Sequence, residues 1–527
     1  MEYYIELKQL LSYAAIDTIT IIKQKWPNDY INYLENIGDA YFKNKKYLDA
    51  SIAYKLAFEE KIFSNNIFYK LSNTLYLVGE YEESKYYATK MYELEPDNTN
   101  QIKLYIEILL KIGNLQEIND LSTKLIESNP NDEDYKFFLA HSKRLHGYFD
   151  EAVVILEHLC KKSNKVNYRI ALADTVGETD TNLAIKYYES IFSKKNVILP
   201  LNKFNLSIHY LRSRNFKNGW NLFEYGLDKS IGKRGRKLPY NFKGTYRLKD
   251  SEDIKPNKKI LICSEQGIGD QILFYNVFSD HDIKNLNIFV VCEKRMELIL
   301  KRSFPFIDFS SNGIFNNSNL NDMLAKENLI YFPLGSFYSR FRPSIEKIEI
   351  SKISYLTPNL LTTNKYKNYL KNIANGRKII GICWKSFVDN NISKIKNIDF
   401  INWLPLFSND NLIVNLQYGD TNNEQEFIKN LNLEMISFNE IDFKNDLDSW
   451  LSLSCACDGI ISVSSSIVHF AGAAGQKVSV VMPFNQGHWS LGLTDKKSLF
   501  YPNVRIYRLS DYVTETSLIL DAYSYLN

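Results

Sequence analysis

Glycine and proline are scarce in this chain, 22 and 13 of 527 residues, which argues against long flexible linkers. Cysteine is scarcer still. Cys160, Cys263, Cys292, Cys383, Cys455 and Cys457 are scattered, mostly within apolar strand-like runs, the habit of reduced thiols rather than of a disulfide framework. Cys455 and Cys457 form a C-x-C pair with no Cys or His partner at metal-ligand spacing, so no metal site is expected. No apolar run approaches the roughly 18 residues of a membrane span. The acidic start lacks the basic-then-apolar pattern of a signal peptide, and the expected address is the cytoplasm. Neither sign of charge dominates: 64 basic against 61 acidic residues leave +3, no reason to expect nucleic acid as a partner. What remains is ordinary globular material, 45% hydrophobic and 24% charged and too apolar for a disordered chain. At roughly 100–200 residues per domain, the length suggests about three or four domains.

The first half repeats. Gly79, Gly113 and Gly147 stand 34 residues apart, with Lys45 in the phase-equivalent slot. Each is followed by an aromatic or Leu (Tyr47, Tyr81, Leu115, Phe149), then an acid (Asp49, Glu83, Glu117, Glu151), then usually a small residue (Ala50, Ser84, Ala152). Pro96 and Pro130 close two units, and less regular units follow at 168–192 and 202–225. This period and pattern are the signature of tetratricopeptide (TPR) helix pairs, which stack into a solenoid with a concave inner face. The repeat phase places Tyr69, Asn73, Tyr76, Lys103, Glu107, His141 and Arg144 on that face, each either a contact for a bound polypeptide or an ordinary packed or solvated position. Of an asparagine ladder only Asn36 is present; Lys70, Leu104 and Phe138 occupy the equivalent positions, so no ladder-type grip is expected.

From about residue 258 the texture changes. Short β-branched or apolar runs alternate with amphipathic stretches, the mark of parallel α/β units. A helix and polar linker at 364–377 separate two such domains. The expected fold class is therefore α plus α/β, an N-terminal TPR α-solenoid followed by two Rossmann-like domains. The boundaries are 1–200 for the repeats, 201–255 for a last helical unit and connector, 256–365 and 366–527 for the α/β domains. Ligands of open α/β sheets gather at the carboxyl ends of the strands.

Four strand-end loops carry the candidate chemistry. In the first, residues 264–270, Glu265, Gln266, Gly267 and Gly269 lead into a helix that begins near Asp270. The glycines allow close approach of backbone to ligand. Asp270 is either a helix cap or a catalytic base. Ile272 stands where a third Gly or Ala would complete a dinucleotide fingerprint, so no nicotinamide or flavin cofactor is expected. In the second loop Lys385, Ser386, Lys394 and Lys396 make a cationic lip, either for phosphates or simply solvated. The third offers Gln417 and Tyr418. The fourth places Ser464, Ser465 and Ser466 at the start of a small-residue helix that could cradle a diphosphate. His469 follows, either a satisfied buried histidine or a ligand contact. No G-x-S-x-G elbow accompanies it, which argues against a hydrolase. Asp446 and Asp448 read as helix-start acids rather than metal ligands.

Several motifs in order resemble a known family. Residues 216–220 with Phe223 and Glu224, residues 265–274, 415–420 and 468–473, then Trp489, Tyr501 and Pro502, are similar to the glycosyltransferase part of bacterial TPR proteins related to heptosyltransferases. The likeness runs over 203–527. It implies a two-domain transferase fold of the GT-B kind, usually metal-independent. By the same likeness Asp270 matches the base proposed for that family, and Lys396, seven residues before Trp403, matches a lysine on the donor phosphate. The family's Asp-Thr pair has become Ser464 and Ser465, so the resemblance does not imply ADP-heptose as donor. Some repeat-bearing relatives are linked to flagellin glycosylation. The expected activity is transfer of a sugar from a nucleotide-sugar donor, a substrate rather than a cofactor, to an acceptor docked by the repeats, a flagellin-like protein hydroxyl. The alternatives are a non-catalytic TPR scaffold with a decayed transferase domain, or another nucleotide-sugar enzyme such as an epimerase.

Overall fold

Glycine-scale turns set the helical half. The computed structural model describes residues 13–60, 66–193, 198–236, 254, 259–311, 329–386, 396–483 and 488–526. Within these, α1 (Ala15–Lys25) precedes six successive helix pairs. They are α2 (Tyr30–Lys43) and α3 (Tyr47–Glu59), α4 (Ile67–Val78) and α5 (Tyr81–Leu94), α6 (Thr99–Ile112) and α7 (Leu115–Ser128). Then come α8 (Glu133–Leu145) and α9 (Phe149–Lys162), α10 (Val166–Val176) and α11 (Thr181–Ser193), α12 (Pro200–Arg212) and α13 (Phe216–Phe223). The periodic glycines Gly79, Gly113 and Gly147 take φ of +102°, +85° and +84°, and Lys45 in the same slot takes +59°. A left-handed residue at this position ends the helix and lets the chain turn back sharply. At Gly38 an added Cβ would run into the Tyr54 ring, so α2 and α3 cross too closely for any side chain there. This is a TPR solenoid.

After it come two parallel sheets. The first has four strands in the order β3-β2-β1-β4, with β1 Lys259–Cys263, β2 Asn287–Val291, β3 Asp308–Ser310 and β4 Leu329–Pro333. The second has six in the order β10-β9-β8-β5-β6-β7. Its members are β5 Lys378–Cys383, β6 Asn411–Asn415, β7 Met435–Ile436, β8 Gly459–Val463, β9 Val478–Met482 and β10 Val504–Arg508. Every residue of β6, β8 and β9 is buried. That is the reason these strands read as unbroken apolar runs, since helices cover a parallel sheet on both faces. Between the sheets runs α14 (Leu360–Ala374), ended by Asn375 in the left-handed region. The two sheets are Rossmann-like, in the arrangement expected from the alternation.

Compactness divides the chain into two units, residues 1–155 and 156–527. The last helical pairs therefore belong to the same compact unit as both sheets. Their apolar residues explain it: Leu211, Phe216, Trp220 and Phe223 share one core with Phe274, Tyr338 and Trp489. Trp220 Nε1 donates to the Arg342 carbonyl at 2.8 Å, and its ring meets that of Trp489 edge-on at 5.5 Å. No helix among the described residues is long and apolar enough to cross a membrane.

Candidate functional site

The first strand-end loop delivers Asp270 into the first turn of the helix Ile268–Tyr275, and Gly267 is the N-cap residue without a side-chain cap. Gln266 adopts φ +73°, unusual for a non-glycine residue, and its carbonyl accepts from Gln271 Nε2 at 3.1 Å. This helix packs against the helix Ser466–Ala473 that follows β8. Contact is closest at Gly269, where a Cβ would lie 2.9 Å from the His469 ring. The glycine is thus required by the histidine on the opposite domain.

The Asp270 carboxylate turns to His488, whose Nε2 lies 2.6 Å from Oδ1. His488 Nδ1 accepts from the Ser490 amide at 3.4 Å and faces Ser490 Oγ at 2.7 Å, which leaves Nε2 as the nitrogen bearing the proton toward Asp270. Burial pushes the Asp270 carboxyl upward, but His488, then His469 and a hydrogen bond from the Trp489 side chain, outweigh it and hold the group below the ordinary carboxylate range. Beside it His469 is buried, its Nδ1 2.9 Å from the Tyr501 hydroxyl. Burial, reinforced by His488 and opposed by Asp270, pushes the His469 imidazole down to about 3. Asp270 is therefore ionised and His469 neutral near pH 7. Lys396 stands within electrostatic reach of this pair. Its ammonium is held below the ordinary lysine value by burial and by Arg212, with Glu178 and Asp270 acting in the opposite sense.

The other strand ends meet one another by side chains. Gln417 Oε1 accepts from the amides of Trp384 (3.0 Å) and Lys385 (2.7 Å), and its Nε2 donates to the carbonyls of Lys385 (3.1 Å) and Tyr418 (3.0 Å). The buried Gln417 amide thus ties the β5 and β6 loops together. Lys385 Nζ is ion-paired with Glu424. The Ser386 amide donates to Asn397 Oδ1 at 2.8 Å. Tyr418 leans edge-on against Trp450 at 5.9 Å. Ser465 Oγ is 3.1 Å from Ser462 Oγ and 3.6 Å from Cys383 Sγ, facing inward, whereas Ser464 and Ser466 are partly open. Lys394 lies outside the described residues.

Within the first strand-end loop the Glu265 side chain is wholly buried and paired with an equally buried Arg236 at 2.6 Å, while Oε1 accepts from the Gly335 amide at 2.9 Å. It braces the loop from beneath. Asp446 caps the helix Leu447–Ser454, accepting from the Ser449 amide at 3.0 Å, and Asp448 is ion-paired with Arg302, as helix-start acids should be.

In the repeats, the seven positions expected on the inner face all fall on the first helix of a pair: Tyr69, Asn73 and Tyr76 on α4, Lys103 and Glu107 on α6, His141 and Arg144 on α8. Three of them, Tyr76, Glu107 and Lys103, are already engaged between neighbouring pairs. Tyr76 is hydrogen-bonded to Glu107, and Lys103 is ion-paired with Asp134.

One residue central to this arrangement, His488, is not singled out by the sequence alone; it adjoins Trp489, itself part of the recognised motif, and that adjacency is the available signal.

No protein-family model matches the chain. A curated relative, Protein FlbA of Caulobacter vibrioides, is 28% identical over 267 residues, covering 48% of this chain and 44% of FlbA. The chain thus matches less than half the length of that relative. Among solved structures, a tetratricopeptide repeat protein from Parabacteroides merdae aligns over 41% of this chain and 87% of its own, with 16% identity and a TM-score of 0.36. The ADP-heptose lipopolysaccharide heptosyltransferase II of E. coli aligns over 51% of this chain and 98% of its own, with 13% identity and a TM-score of 0.36.

Proposed function

We propose that residues 156–527 form a glycosyltransferase that moves a sugar from a nucleotide-activated donor to an acceptor hydroxyl, with Asp270 as the base. The observation that carries this reading is an ionised Asp270 at a strand end, hydrogen-bonded to His488 and flanked by His469 and Lys396. The ordered motifs over 203–527 support it.

The chemistry asks for two things. The acceptor oxygen must lose a proton as it attacks the anomeric carbon, and the departing phosphate must have its charge stabilised. Asp270 takes the proton, and the His488 Nε2–H supports the carboxylate without competing for it. The C–O bond to phosphate breaks with its electron pair on the leaving nucleotide. Lys396 and the amides at the Ser466 helix start supply positive potential for that group. No step calls for a metal ion. The repeats, residues 1–155 included, present the acceptor, a protein hydroxyl of the flagellin-like kind that the resemblance suggests.

The test is a panel of UDP-, GDP-, ADP- and CMP-sugars with the full chain, read by thermal shift and by release of free nucleotide, with and without EDTA. At least one donor should stabilise the protein and be consumed, insensitive to the chelator. No shift with any nucleotide would return the chain to the non-catalytic repeat scaffold.

A further inference from the structure

In the turn between α12 and α13, Arg214 stands where Gly79, Gly113 and Gly147 stand in earlier turns; like Lys45 at φ +59°, it holds a side chain at φ +67°, a region that disfavours one. The guanidinium reaches out of the helical layer. Nη2 donates to the Ser490 carbonyl at 3.0 Å, Nη1 to the Trp489 carbonyl at 3.4 Å, and the group is ion-paired with Asp495. From the other side Arg508, at the end of β10, donates to the carbonyls of Leu491 (2.9 Å) and Gly492 (3.1 Å). Gly492 sits at φ +65°, and a Cβ there would strike both the Asp495 carboxylate and the Arg214 guanidinium. The backbone of 489–495 is therefore gripped by two arginines, and His488 is the residue at its mouth.

We propose that Arg214 is a positioning residue, which fixes the 489–495 loop and through it holds the His488 imidazole on Asp270. The last helical pair would then act on the reacting centre itself as well as on the packing of the fold. The proposal rests on the reading of Asp270 as the base for its kinetic consequence, though not for the geometry. The titratable groups facing Asp270 are His488 and His469, with Lys396 in reach and Tyr501 behind His469.

The experiment compares Arg214→Ala and Arg214→Lys with the wild-type full-length chain by two readouts. The first needs no activity: the rate at which diethyl pyrocarbonate modifies His488, measured by peptide mass spectrometry against the exposed His281 as internal standard. Release of the loop should raise that rate about fivefold or more in Arg214→Ala, with Arg214→Lys, which keeps the charge opposite Asp495, in between. The second is the pH profile of nucleotide release. Asp270 freed from His488 should move the acid limb to higher pH and lower kcat about tenfold with donor KM unchanged. If Arg214→Ala fails to fold, Asp495→Asn weakens the same grip and should raise the His488 rate about twofold. A folded Arg214→Ala protein with unchanged His488 reactivity overturns the proposal. A changed reactivity in a protein that consumes no nucleotide sugar leaves the grip standing and removes the catalytic reading alone.

Discussion

His488 Nε2 stands 2.6 Å from Asp270 Oδ1, joining residues 218 positions apart in sequence. The contact ties the first strand-end loop of one sheet to the segment that follows β9 of the other. A carboxylate so held is kept ionised. This is the state a base for an acceptor hydroxyl requires.

Asp270→Asn should accordingly lower turnover about 100-fold or more, the usual scale for loss of a general base, with donor affinity nearly intact. Steady-state kinetics beside a donor-binding titration check this. Turnover within about threefold of wild type would make Asp270 a helix-start acid only. Because His488 and His469 hold the Asp270 carboxyl low, the acid limb of kcat/KM should fall below the ordinary carboxylate value near about 3.9, and His488→Gln should raise it.

Lys396→Ala should act on binding instead. Loss of a charged donor to a phosphate weakens nucleotide affinity by about 1.5–3 kcal/mol, roughly 10- to 150-fold. Calorimetric titration with the nucleoside diphosphate reads it directly. Unchanged affinity would remove Lys396 from the donor site and leave the donor phosphate to the Ser466 helix start.

The sequence made the architecture legible because its signals are periodic. Gly79, Gly113 and Gly147 report left-handed turns, and the residues of β8 and β9 report strands covered on both faces. Side-chain orientation was less legible, since it depends on partners far away in the chain. Glu265 looks like part of an exposed glycine loop until Arg236, from the connector, is seen to fill the space beneath it. That the backbone amides of Trp384 and Lys385 claim the Gln417 oxygen is likewise not written in its own loop. His488 is marked locally only by its place beside Trp489, and Arg214 only by the turn slot it shares with Lys45. A histidine before a tryptophan and an arginine in a turn acquire meaning only when β1, β9 and the last helical pair converge.

His469 gives a pH prediction of its own. Its imidazole titrates near 3 when folded, against about 6.5 when unfolded. The unfolded chain therefore binds the extra proton first. The native state is unaffected above about pH 6.5 and loses up to about 1.4 kcal/mol per pH unit below it, until the folded group itself titrates. Thermal unfolding of wild type should show this loss between about pH 6.5 and 4.5, and His469→Gln should flatten it. Identical pH dependence in the two proteins would mean that His469 is not buried as a neutral ring.

The division of labour between repeats and sheets calls for substitutions rather than a cut. Starting the chain near residue 201 would strip away α10 and α11, exposing Leu206 and Tyr210 where they pack on Ala173 and Tyr188, so lost activity could be lost folding. On the inner face, Tyr76 and Lys103 are engaged with Glu107 and Asp134, and their replacement would loosen the solenoid itself. Tyr69 and Arg144 are partly exposed and of the residue types that dominate protein interfaces. The double variant Tyr69→Ala/Arg144→Ala should lower kcat/KM for a folded protein acceptor about 10- to 100-fold, the range for one or two interface hot spots. Nucleotide binding and slow donor hydrolysis should stay at wild-type level, because no group that meets the donor lies in residues 1–155 on this reading. Equal loss in both assays would point to damage spreading from the repeats. An acceptor rate that does not move would shift acceptor recognition to the strand-end loops, where a small glycan rather than a protein is the better fit.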